Sequence, residues 1–137
     1  MRLSKRGEYG LRALQELARA HGQGPVPNAE LARRANIPVR FLEQIMLTLK
    51  HGRIVQSQKG PQGGYLLARP PDQITLAEVI RLLDGPLAPI ACASETAYRP
   101  CNCPDEATCG LRRVMRRVRD VVAQMMEETT LADLLAP

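Results

Sequence analysis

Apolar residues recur every three to four positions along most of this chain, and breaks in that rhythm separate successive helices. In SKRGEYGLRALQELARA, residues 4–20, Leu11, Leu14, Leu17 and Ala18 share one helical face, and Ser4 can cap the first turn. HGQGPVP interrupts the pattern with Gly and Pro. NAELARRANI resumes it as a short helix with Asn28 as cap and Leu31 and Ala32 inward, and Asn36 and Pro38 end it. VRFLEQIMLTLKHG then places Leu42, Ile45, Met46 and Leu49 on one side, with Gly52 as stop. Its opposite side carries Arg40, Glu43, Gln44, Leu47 and Lys50.

The pattern changes in RIVQSQKGPQGGYLLARP, where two short strands, 54–58 and 65–68, flank a Gly/Pro-rich turn and predict a β-hairpin. Two short helices joined by a tight turn match a helix-turn-helix, and a hairpin directly after them makes a winged helix. Gly60, Gly63 and Gly64 permit positive φ and a close approach of the loop to a partner. ITLAEVIRLLDGP predicts a further helix, capped by Thr75 and ended by Gly85 and Pro86. In LRRVMRRVRDVVAQMMEETT, apolar residues at 111, 114/115, 118, 121/122 and 125 approximate heptad spacing, with Arg112, Arg113, Arg116, Arg117 and Arg119 on the exposed positions. Such a seam is expected to pair with a copy of itself or to fold back onto its own domain. LADLLAP predicts a short terminal helix.

The fold expected is therefore mainly α with a small β-hairpin wing. Three units are expected: a winged helix-turn-helix at 1–84, a cysteine-containing loop at 85–110, and a dimerisation helix with a terminal helix at 111–137.

Composition adds two constraints. With one Phe, three Tyr and no Trp, the core must be built from Leu, Ile, Val, Met and Ala. No apolar run approaches the roughly 18–20 residues that span a bilayer, so no membrane association is expected. The basic N-terminus lacks an apolar stretch after it, so no secretory signal is expected and a cytoplasmic location is.

Charge divides the chain. Residues 1–70 carry twelve Lys/Arg against four Asp/Glu, and residues 71–137 carry seven against ten. A basic first half points to a polyanion partner, although a solvated basic surface has the same composition. No phosphate loop, nucleophile–base pairing or dinucleotide motif is present, so an enzyme is not expected.

All four cysteines fall between 92 and 109, in PIACASETAYRPCNCPDEATCGLRR, which lacks periodicity and reads as a loop. The spacing Cys92-x8-Cys101-x-Cys103-x5-Cys109 is a poor match to the paired Cys-x(2–4)-Cys of structural zinc sites. In a reducing compartment, clustered thiols bind metal or sense redox state more often than they form structural disulfides. An iron–sulfur centre, a zinc or thiol switch, and a cofactor-free protein all remain open on spacing alone.

Three segments carry a resemblance: LSKRGEYGLRAL, AELARRANIPVRFLEQIMLTLKHGRIVQSQKGPQGGYLLARP and ITLAEVIRLLDG. Their combination of Leu-Glu-Gln in the second helix of the motif with Gly-x-x-Gly-Gly-Tyr in the wing resembles the Rrf-type winged-helix regulators of bacteria, over essentially the whole chain. The resemblance implies a homodimeric repressor or activator that binds a palindromic promoter site in double-stranded DNA, with a long helix crossing between subunits. Many family members hold an iron–sulfur cluster, [2Fe-2S] or [4Fe-4S], through three cysteines before that helix, and others have none and act alone or through a protein partner. By that resemblance Cys92, Cys103 and Cys109 are the ligands, with Cys101 either an extra thiol or an alternative to Cys103. Arg112 stands where one subset of the family has a histidine ligand. Glu8 stands where another subset takes a carboxylate from the partner subunit, and an ion pair with Arg12 is its alternative role.

A winged helix needs cations for phosphates and a few polar groups for base edges. Lys5, Arg6, Arg33, Arg34 and Lys59 are candidates for phosphates, and Arg40, Glu43 and Gln44 for bases. Arg pairs with guanine, Gln with adenine, and Glu accepts from the cytosine amino group. Glu43 also repels phosphate and so disfavours nonspecific binding. The wing, from Lys59 through Gln62, Gly63 and Gly64 to Tyr65, is expected in or over the minor groove, and Tyr65 can alternatively pack under the hairpin. Loss of a labile cluster is expected to shift the dimer helix and so the separation of the two reading helices, which must stay near one DNA turn, about 34–36 Å.

Overall fold

The computed structural model describes residues 2–136. Five helices and a hairpin follow one another: α1 (Lys5–Arg19), α2 (Asn28–Ala35), α3 (Val39–His51), β1 (Val55–Gln58), β2 (Gly64–Leu67), α4 (Leu76–Asp84) and α5 (Gly110–Glu128). Short 3-10 turns occupy Pro71–Gln73, Ala91–Ala93 and Leu131–Leu135. The mainly helical chain with a two-stranded wing is the architecture expected from the pattern.

Local chemistry sets most of the boundaries. The Ser4 hydroxyl accepts the Gly7 N–H at 3.0 Å and caps α1. Ser4 also donates its own N–H to Asp84 at 3.0 Å, which ties the start of α1 to the end of α4. Thr75 and Glu78 form a reciprocal capping box at α4. Asn36 takes a left-handed φ of 55° after α2, a conformation that Asn tolerates better than most residues, and so makes the tight turn of the motif.

Two boundary details differ from expectation. Asn28 is the first helical residue of α2 and not its cap, because extended Pro27 accepts the Leu31 N–H at 2.9 Å in that place. The reversal after α3 is made by Arg53 at φ 60°, while Gly52 keeps φ −78°.

One core joins these elements. Leu14 of α1, Leu31 of α2, and Leu42, Ile45, Met46 and Leu49 of α3 are all fully buried, together with Ile74. Burying one such side chain stabilises the fold by about 1.5–3 kcal/mol. The strands pair antiparallel with Val55 opposite Leu67 and Gln58 opposite Gly64, and Val55 and Leu67 turn into the same core. The C-terminal turn also returns to it. Leu131 is fully buried and donates its N–H to Ile74 at 3.0 Å, and the Leu76 N–H bonds Thr129 at 2.9 Å.

Helix α5 packs against α4 and the 91–93 turn, yet its apolar seam is left open. Leu111 is 60% exposed, Val121 69% and Met125 67%. Its arginines depart from expectation: Arg119 is the buried residue of the helix, and Arg112 is half-buried.

Candidate nucleic-acid interface and thiol site

The face of α3 turned from the core presents Val39, Arg40, Glu43, Gln44 and Leu47 to solvent. Helical spacing puts positions 40, 43, 44 and 47 on one side, so the fully buried row at 42, 45, 46 and 49 fixes the opposite row outward. Among the described residues, neither Arg40, Glu43 nor Lys59 takes part in an ion pair. These side chains are free to meet a ligand without breaking an internal contact.

The other candidate cations are engaged. Lys5 lies 3.5 Å from Glu8 and over the Tyr9 ring, and Arg6 donates to the Thr48 hydroxyl. Arg33 and Arg34 both hold Glu30, and their hydrogen bonds pull its carboxyl down to about 2. A phosphate reaching either arginine competes with a carboxylate already in place. Glu8 bonds Arg12 at 2.9 Å, the ion pair anticipated for it, and Arg12 and Lys5 hold its carboxyl below the usual range. Glu8 also borders an open groove of about 980 Å³ formed by the start of α1, the end of α4, and Val122 and Met126 of α5.

The glycines of the wing divide by role. Gly60, at φ 113° with open space around it, supplies the turn itself. Gly63 and Gly64 serve internal close approach: an added Cβ would lie 2.2 Å from the Gln58 carbonyl oxygen and 2.2 Å from that of Val26, respectively. Tyr65 exchanges both backbone hydrogen bonds with Val26, at 2.8 and 2.9 Å, and packs half-buried against the core. Only Lys59, Gly60, Pro61 and Gln62 form the exposed tip.

The four thiols sit between α4 and α5. Cys92 is buried in the 91–93 turn, Cys101 and Cys109 are half-buried, and Cys103 is exposed. They neighbour one another in series, Cys92 with Cys101, Cys101 with Cys103, and Cys103 with Cys109. The closeness of Cys101 and Cys103 lowers the Cys101 thiol and pushes Cys103 up to about 12. The pair therefore gives up its first proton readily and resists losing the second. Burial, and then Cys101, raise Cys92. Cys109 occupies the cap of α5, its sulfur accepting the Arg112 N–H at 3.4 Å.

Among the described residues, no three His, Cys, Asp or Glu side chains converge into a metal-holding group. The donor chemistry of four neighbouring thiols nonetheless suits a sulfur-ligated centre, and drawing three of them around one requires the 95–108 loop to rearrange.

What pattern reading missed is how α5 holds this loop. The Arg119 guanidinium, 10% exposed, donates to the Ala93 carbonyl at 2.6 Å and lies 3.1 Å from Glu95. Arg112 donates to the Cys92 carbonyl at 2.9 Å and lies 3.2 Å from Glu106, which in turn accepts from the Tyr98 hydroxyl. The carbonyls of Cys92 and Ala93 are thus fastened to α5 by two arginines one turn-pair apart. Heptad counting gives no sign of this, because it treats every arginine off the seam as solvated.

Known proteins resemble this chain over nearly its whole length. A family model described as Rrf2, iron-dependent transcriptional regulator, matches residues 3–137. An rrf2-like helix-turn-helix transcriptional regulator of Rhodobacter capsulatus is 38% identical over 98% of this chain and 92% of its own length. The structure of CymR, the global cysteine regulator of B. subtilis, superposes with a TM-score of 0.81 at 34% identity, covering 98% of this chain and 95% of CymR. The structure of T. potens IscR superposes with a TM-score of 0.79 at 30% identity, covering 98% and 86%. The chain belongs to the Rrf2 family of DNA-binding transcriptional regulators.

Proposed function

We propose that this chain acts in the cytoplasm as a homodimer that reads a palindromic promoter site through α3 and the wing tip, with an affinity set by an iron–sulfur centre at the cysteine loop. Arg40, Glu43 and Gln44 are the base-reading groups, and Lys59 and Gln62 approach the minor groove. Lys5, Arg6, Arg33 and Arg34 hold phosphates, the last two by exchanging Glu30 for the DNA backbone. Gly63, Gly64 and Tyr65 shape the wing from beneath. The exposed seam of α5 is the face that meets the second copy.

Cys92, Cys103 and Cys109 are the proposed ligands, with Cys101 a neighbouring thiol that can replace Cys103, and Glu8 of the partner subunit completing the set. Bound there, a cluster would supply a labile group responsive to iron, oxidants or nitric oxide. The observation that carries the reading is the pair of arginine bonds from α5 to the carbonyls of Cys92 and Ala93. Any movement of residues 92–93 is felt by the helix expected to set the spacing of the two α3 helices.

A second reading keeps the DNA chemistry and replaces the cluster by a disulfide. The series of neighbouring thiols favours it: two thiols passing two electrons and two protons to an oxidant form one bond within the same loop. Anaerobic purification with iron and sulfide analysis, followed by DNA binding of the loaded and chelated forms, separates the two. Bound iron and sulfide with at least a tenfold change in affinity on chelation is the expected result. A preparation without iron or sulfide whose DNA affinity responds to a thiol oxidant turns the assignment to the disulfide.

A further inference from the structure

Val39 and Leu47 are 44% and 50% exposed on α3, on the same face as Arg40, Glu43 and Gln44. Val39 precedes Glu43 by four residues, and Leu47 follows Gln44 by three and Glu43 by four. Each is therefore a direct surface neighbour of a polar reader. Neither is needed by the core, which Leu42, Ile45, Met46 and Leu49 already fill at 0% exposure.

Single apolar residues on a surface are ordinary. These two differ in flanking, on both sides, a row of side chains that carry no core contact. A partner that exchanges hydrogen bonds with the middle of that row is matched best when it offers apolar matter at the ends. On base edges in the major groove, the apolar feature is the C5-methyl group of thymine.

We infer that Val39 and Leu47 are specificity-determining residues that contact thymine methyl groups on either side of the base pairs addressed by Arg40, Glu43 and Gln44. The inference deepens the DNA reading by α3 proposed above and rests on it. Eight residues separate the two side chains, which is about 12 Å along a helix axis. At about 3.4 Å per base pair, a helix lying along the groove sets the two thymines roughly three to four base pairs apart.

The test uses the full chain and a duplex that it selects from a random-sequence library. Each thymine of that duplex is replaced in turn by deoxyuridine, which removes only the methyl group. Affinity is read by fluorescence anisotropy for the wild type, Val39→Ala and Leu47→Ala. At one thymine per half-site for each residue, uracil should weaken the wild type about threefold to fourfold, the worth of one buried methyl. The matching alanine variant loses the contact in both half-sites of the homodimer, so it should weaken about ninefold to sixteenfold, become indifferent to uracil at that position, and stay sensitive at the other. Both residues lie outside the core, and unchanged thermal melting shows that each variant folds. A tightly bound duplex indifferent to uracil at every thymine, or alanine variants that keep full sensitivity, overturns this inference alone. A library that returns no bound duplex overturns the base reading by α3 and this inference with it.

Discussion

Helices α3 and α5 are both amphipathic, and their apolar faces have opposite fates. The row at 42, 45, 46 and 49 of α3 is fully covered by the chain itself, whereas Leu111, Val121 and Met125 of α5 keep 60%, 69% and 67% of their surface. The covered face holds α3 rigidly and turns its polar side outward as the proposed reading surface. The uncovered face is apolar and regular, and in the proposed homodimer the second copy covers it. One helix has its apolar face covered and the other has it exposed, and the cysteine loop is fastened to the exposed one.

The covered side should break first and hardest. Leu42→Ala, at a site with no solvent access, should cost about 3 kcal/mol of stability through lost burial and the cavity left behind, read by urea unfolding. The same measurement on Leu111→Ala at low protein concentration should show a far smaller change. Equal losses would mean that α5 is covered within its own chain.

The uncovered side should break as an assembly. Val121→Glu with Met125→Glu should weaken self-association roughly 100-fold or more, since two apolar contacts of at least about 1.5 kcal/mol each are lost, while secondary structure is kept. Sedimentation equilibrium beside circular dichroism reads both. An unchanged association constant would remove the seam from the interface.

In the proposed cluster mechanism the link between the two sides is Arg119. Arg119→Met releases Ala93 and Glu95 while leaving every cysteine in place, so bound iron should persist and the difference in DNA affinity between loaded and chelated forms should shrink about tenfold. Arg119→Lys, which keeps the charge, should restore part of that difference. If Arg119→Met retains iron and the full difference, the loop and helix communicate by another route.

The smallest effect concerns Glu30. Its carboxyl is held at about 2, below the usual 4.5, so the contribution of its fork with Arg33 and Arg34 is present above pH 4.5 and is lost as pH falls from there toward 2. A carbon-13 titration should place its midpoint near 2. A midpoint at the ordinary value would mean that the two arginines are free for phosphate.

Periodicity made the helices, the wing and the candidate readers legible, because burial of a 3.6-residue stripe determines both faces of a helix at once. The cap at Thr75 and the break at Asn36 were legible from the local chemistry of those residue types, whereas the reciprocal bond from Glu78 came from the structure. Tertiary features were not. Gly63 and Gly64 look like a loop tip in sequence and are in fact demanded by the carbonyls of Gln58 and Val26, one of them far away in the chain. Arg112 and Arg119 look solvated by heptad position, yet they face a loop whose course no period describes. The ligand set stayed open because Cys101 and Cys103 are spaced too closely for pattern to choose between them, and in the fold each is the other's neighbour.

The central claim is that the bare seam of α5 is one half of a twofold interface. Sedimentation velocity of the full chain at micromolar concentration tests it most directly. A species of roughly 30 kDa, twice the 15.1 kDa of one chain, is the predicted result. A single species at 15.1 kDa across the concentration range would contradict it.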